Sequence, residues 1–225
     1  VNLSSTGGND FVKYYAYLGY MGEGDNFKIG EKANYNRLNA RANMDMKIND
    51  FISVDLGLHA GLTIRNSPNY KYQGDFAYFE FDEALKDATT TSPIAFPVYV
   101  PVGTDDKDVI NYGVSNTFGT NPIGALASSG YYQEKNRVGR ANIGLNIDLG
   151  RAVKGLSLRT YLDISTLNQT RIGKDERYSA YTLAPDETVE GGYKYTQTSS
   201  PVIQSGESKM RDFYFTRYSG HQSID

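Results

Sequence analysis

Two consecutive stretches, Arg37–Asn49 and Phe51–Arg65, alternate apolar and polar residues almost without a break. In the first, Leu38, Ala40, Ala42, Met44, Met46 and Ile48 share one side, and Arg37, Asn39, Arg41, Asn43, Asp45, Lys47 and Asn49 share the other. In the second, Ile52, Val54, Leu56, Leu58, Ala60, Leu62 and Ile64 face Ser53, Asp55, Gly57, His59, Gly61, Thr63 and Arg65 in the same way. A period of two is the mark of a β-strand with one apolar face. Only Asn49 and Asp50 need lie between the two stretches, so they read as a hairpin. Their length is unusual, because ordinary strands run about 5–6 residues. A strand of about 13 residues at roughly 3.3 Å each is about 43 Å long. Tilted by roughly 45°, it crosses a hydrocarbon layer about 30 Å thick. The hairpin therefore reads as part of an outer-membrane β-barrel.

Composition is compatible with that reading. The 225 residues carry 23 basic and 26 acidic side chains, so there is no nucleic-acid footprint. No window supplies 18 uncharged apolar residues, so no transmembrane helix is expected. The negative mean hydropathy is no objection, since half of each barrel strand faces a wet lumen. There are no cysteines, which excludes disulfides and thiolate metal sites. Tyrosine outnumbers phenylalanine 19 to 10, with no tryptophan. Tyr suits both membrane-interface belts and polar binding surfaces.

Seven strands are expected: Val1–Ser5, Phe11–Tyr20, Arg37–Asn49, Phe51–Arg65, Arg137–Leu149, Leu156–Leu167 and Arg211–Asp225. Their connections alternate short and long. Thr6–Asp10, Asn49–Asp50 and Gly150–Gly155 are short; Met21–Asn34, Asn66–Asn136 and Asn168–Ser208 are longer. Barrels of the outer membrane sort their loops in this way, with short periplasmic turns and long external loops. Val1 opens no signal peptide, and Arg211–Asp225 stops as a strand, so the chain reads as an internal part of a longer protein.

An ordered series of pieces resembles the barrel of SusC/RagA-type TonB-dependent transporters. It comprises Leu3–Asp10, Lys13-Tyr14-Tyr15, Leu18-Gly19-Tyr20, Tyr35–Arg41, Lys47–Asp50, the Asn-Pro loop segment Asn121–Leu126, and Lys154–Leu158. The resemblance implies an all-β fold of antiparallel up-and-down strands, forming part of a large transmembrane barrel. Residues 1–225 would then be a partial barrel without its plug domain and its C-terminal strands. It further implies uptake of oligosaccharides or peptides with a SusD-like surface lipoprotein as lid. Energy would come from TonB through the plug region that these residues lack, and lipid would surround the wall. The rival readings are a passive porin or structural barrel, and a soluble carbohydrate-binding β-domain.

No catalytic set emerges, so no enzyme is expected. There is no Gly-x-Ser-x-Gly, phosphate loop or dinucleotide fingerprint. His59 and His221 share no motif, and His59 falls on a polar strand face. Asp105, Asp106 and Asp108 form the densest acidic cluster; it reads as a solvated loop, with Ca²⁺ binding as the alternative, and no other cofactor is expected. Glu80, Asp82, Glu83 and Asp87 belong to a short helix expected at Phe79–Ala88, as surface charge. The aromatic residues of the longest loop are the candidates for contact with cargo or lid: Tyr70, Tyr72, Phe76, Tyr78, Tyr99, Tyr131 and Tyr132. Packing of the loop itself is the plainer role for them. The polar faces place Arg37, Arg41, Asp45, Asp55, Arg140, Asp148 and Arg159 toward the lumen, mixing both signs.

Overall fold

The fold was determined as a computed structural model that describes residues 1–24, 28–30, 33–70, 81–102, 110–189, 191–203 and 208–224. It is all-β. The strands are β1 (Asn2–Gly8), β2 (Val12–Glu23), β3 (Asn34–Lys47), β4 (Ile52–Pro68), β5 (Asn111–Val114), β6 (Gly130–Asp148), β7 (Ser157–Arg177), β8 (Ser179–Pro185), β9 (Tyr193–Ser199), β10 (Val202–Ile203) and β11 (Ser208–Ile224). Two helices, α1 (Phe81–Thr90) and α2 (Pro122–Ala127), lie between β4 and β6. The large sheet runs β1-β2-β3-β4-β6-β7. Beyond β7 come β10 and β11, which follow one another along the same edge. Every neighbouring pair in it is antiparallel. A smaller sheet, β5-β8-β9, joins β5 to β8 in parallel and β8 to β9 antiparallel.

The hairpin of β3 and β4 keeps the expected faces but not the expected turn. Lys47 pairs with Ser53, and Ile48 N donates to Ile52 O at 2.9 Å. Three residues, Asn49-Asp50-Phe51, therefore form the bend. Parity requires this. Ile48 and Ile52 both belong to the apolar face, and side chains opposite one another must share a face. A two-residue bend would set Ile48 against Phe51 and turn every later apolar residue of β4 to the wrong side.

The same tripeptide makes the turn from β1 to β2. Asn9 Oδ1 accepts from the backbone N–H groups of Phe11 and Val12, and Asn49 Oδ1 from those of Phe51 and Ile52, all at 2.9 Å. Asparagine side chains fold back on the chain in this manner in tight turns. Each turn is also tied to the next strand. Phe11 O accepts from Lys47 N and Phe51 O from Asp148 N, both at 2.7 Å.

β1 runs on to Gly8, into the turn, but β2, β3, β4, β6, β7 and β11 all reach farther than expected at the end opposite these turns. β6 begins at Gly130 rather than Arg137, and β7 runs to Arg177 rather than Leu167. The connections Asn66–Asn136 and Asn168–Ser208 are correspondingly shorter and hold structure of their own, including α1, α2, β5, β8 and β9. Gly130 is needed where β6 enters the sheet. Its φ is +85°, and a Cβ there would stand 2.0 Å from Lys174 O.

The wall hides little of itself. The chain exposes 14842 Å², whereas a folded monomer of 25.0 kDa scales to about 10,200 Å². Leu18, Leu38, Leu58, Ile143 and Leu162 remain 41–47% exposed on the apolar face. The buried apolar cluster, Tyr70, Ala84, Ala125 and Leu126 with Tyr178 against it, sits instead among the long connections.

Candidate functional site

The long connections fold into a cap at one end of the wall. Its keystone is Asn121, 1% exposed, which caps α2 by accepting from Ile123 N at 3.0 Å and Gly124 N at 3.1 Å. Its amide donates to Val98 O at 3.1 Å and Gly113 O at 2.9 Å. Its backbone N–H donates to the Tyr178 hydroxyl at 3.1 Å. One side chain thus fastens α2 to β5 and to the segment before β5, while its backbone fastens Tyr178, the residue between β7 and β8. Pro122 at the first turn of α2 costs nothing, because its missing N–H has no helical partner there. Gly124 is forced by packing: a Cβ would come within 2.9 Å of the Tyr112 ring and 3.1 Å of the Tyr178 ring.

Three tyrosines stack through the cap. Tyr112, 1% exposed, meets Tyr178 edge-on at 5.3 Å and Tyr99 at 5.6 Å. Its hydroxyl lies 3.1 Å from Ser128 Oγ. Tyr70 is buried and donates to Asp87 Oδ2 at 2.6 Å, locking α1 onto the wall's end. Burial raises the hydroxyl pKa of Tyr112 and Tyr178. Burial, and then the Asp87 carboxylate, raise that of Tyr70 strongly. All three hydroxyls stay protonated, and that of Tyr70 donates.

Between the cap and the wall lies an open cleft of about 520 Å³. Asn69, Asn116, Asp175, Arg177, Tyr178 and Thr182 are among its lining residues. The size suits a small-molecule or oligomer-unit site. The mixture of amide, hydroxyl, carboxylate, guanidinium and one aromatic ring suits a polar, hydroxyl-bearing ligand.

The aromatic candidates divide. Tyr70 and Tyr132 are each 5% exposed and serve the packing of the cap, Tyr132 donating to Glu134 Oε2 at 3.1 Å. Tyr99 is 59% exposed, and Tyr131 stands opposite Pro68 on β6. None of these four lines the cleft. Tyr72, Phe76 and Tyr78 lie outside the described residues, as do Asp105, Asp106 and Asp108, the candidates for Ca²⁺. Among the described residues no group of three or more His, Asp or Glu is placed to hold a metal ion. Asp87, expected as surface charge, instead accepts the Tyr70 hydroxyl. The cleft residues Asn69, Asp175, Arg177 and Tyr178 escaped the sequence pattern because they lie past the alternating part of β4 and β7.

The register sorts the charges of the polar face into transverse rows. One row reads Lys13, Asp45, Asp55, Gly144, Tyr161 and His221. There Asp55 accepts from Asn146 Nδ2 at 2.8 Å and pairs with Arg159 at 3.7 Å. Two rows farther from the short turns come Tyr17, Arg41, His59, Arg140, Ser165 and Arg217. At the cap the face is covered. Arg171, 2% exposed, donates to Glu134 Oε2 at 2.7 Å, and Asn136 Nδ2 donates to Oε1 at 2.7 Å. No protein-family model matches the chain, and no curated protein sequence matches it.

Proposed function

We propose that this chain supplies wall and external loops of an outer-membrane barrel for nutrient uptake, of the SusC/RagA-like TonB-dependent kind. The observation that carries the reading is the two-sided sheet. Its apolar band on β4, from Ile52 to Ile64, covers about 40 Å of strand. Tilted by roughly 45°, that is about 28 Å, close to the height of a barrel's lipid-facing band. The other face carries the charged rows, and the long connections gather at one end. Such a sheet gains little by burying itself, and everything by standing between lipid and a wet lumen. Its outer strands β1 and β11 each have one neighbour among the described residues, and lipid offers no hydrogen bonds to a free edge. Further strands of the same barrel would pair those edges.

In this reading the cap cleft meets cargo first. Hydroxyls of an oligosaccharide, or amides of a peptide, bond Asn69, Asn116, Asp175 and Arg177. A SusD-like lipoprotein closes over the cap, and a plug coupled to TonB releases cargo inward. The test is uptake in cells that make the protein, with and without TonB. Energised transport stops when TonB is removed. Uptake that continues unchanged means a passive porin.

A further inference from the structure

We infer that Arg41, His59 and Arg140 form an oxyanion subsite at the middle of the polar face, a site that takes a carboxylate, sulfate or phosphate group. The inference rests on the barrel reading for the enclosure of that face.

The register sets Arg41 directly opposite His59, and His59 directly opposite Arg140. Two strand spacings therefore separate the arginines, about 10 Å, with the imidazole between them. Arg217 extends the row two strands farther, beyond Ser165. The arms of Arg41 and Arg140 are long enough to converge on one group above His59. The planar forks of the two guanidiniums match the oxygens of an oxyanion.

Three details separate this row from ordinary surface charge. First, among the described residues neither Arg41, Arg140 nor Arg217 makes an ion pair, whereas Arg159, nearer the short turns, pairs with Asp55 and Arg171, at the cap, pairs with Glu134. Arg41 Nε reaches only the neutral Asn43 Oδ1, at 3.4 Å. Second, His59 Nδ1 has no hydrogen-bond partner and no solvent exposure. Third, the row borders a concavity of about 400 Å³. Gly57 and Asn142 help to form it, the Asn142 amide lying where a side chain at position 57 would be and donating to the Tyr161 hydroxyl at 2.6 Å. Asp163 also lines this concavity and is the one carboxylate there, with no salt bridge to either arginine.

The oxyanion has two possible sources, a carboxylate of polypeptide seated on this face or a free anion in the lumen. Both are tested on the outer-membrane protein as cells make it. Arg140→Lys keeps the cation and provides an amine that a carbodiimide joins to any touching carboxylate; mass spectrometry then names the partner. In parallel, the detergent-solubilised protein is titrated with inorganic sulfate while the arginine Nε–Hε resonances are followed. A link from residue 140 to a carboxylate outside this sheet establishes the site with a polypeptide occupant. Saturable shifts of Arg41 and Arg140, lost in Arg41→Gln, establish it with a free anion. Absence of both overturns the inference, and a link to Asp163 alone counts as absence. Lipid-phase labelling of Leu58→Cys in the same preparation reads the barrel separately, so the two ideas fail independently.

Discussion

The wall and the cap are built from one chain by opposite rules. In the wall, apolar side chains such as Leu58 and Ile143 stand exposed and polar ones line the other face. In the cap, the most deeply buried side chains include a polar one, Asn121, and the hydroxyl-bearing Tyr112. The wall holds together by backbone pairing, and in the proposed barrel its apolar face meets lipid. The cap holds together by satisfied side-chain bonds and aromatic packing, as soluble domains do. The contrast teaches that burial within the chain accounts for the cap but not for the wall, whose apolar face the proposed barrel assigns to contact with lipid.

The largest expected effect breaks the wall side of this contrast. Leu58→Arg, in the middle of the apolar band, should cost about 2–4 kcal/mol in a membrane. Asn43→Arg, at the same depth on the polar face, should cost much less. Unfolding of the reconstituted protein by urea compares them, and equal costs would erase the distinction between the faces. The next tests the cap. Asn121→Ala strands the N–H groups of Ile123 and Gly124 and two buried carbonyls, Val98 O and Gly113 O, and should cost about 2–3 kcal/mol. Hydrogen exchange should quicken in α2 and β5 while β3 and β4 keep their protection. Equal loss in both would mean that cap and wall unfold as one unit. The smallest effect lies at the short turns. Arg151 sits 3.9 Å from the centre of the Phe51 ring, and Arg151→Ala should cost about 0.5–1 kcal/mol. Thermal unfolding reads it, with Arg151→Lys recovering part of the loss.

The sequence was legible where the two faces of the sheet differ in polarity. Between Arg37 and Arg65 every second residue reports its surroundings, so strands and faces follow from the order of residues alone. The pattern fails in Gly130–Asn136 and Asn168–Arg177, although both are strand. There one face meets the cap and the other is polar as well, so residues such as Gln169, Thr170 and Lys174 show no alternation. The Asn-Pro segment at Asn121 was visible as a motif, but its role was not. That role depends on Val98, Gly113 and Tyr178, which only folding brings to it. The cleft was hidden for the same reason, since Asn69 and Asp175 are far apart in sequence and meet only through the pairing of β4, β6 and β7.

The most direct measurement of the central claim is a spin-label scan of β4, one position at a time from Ile52 to Ile64, in the membrane-embedded protein. Labels at the even positions should collide with oxygen dissolved in lipid. Labels at the odd positions, Ser53 to Thr63, should instead meet a water-soluble relaxation agent, giving a clean period of two. A scan in which both sets meet the water-soluble agent equally would contradict the account and leave a soluble sheet in its place.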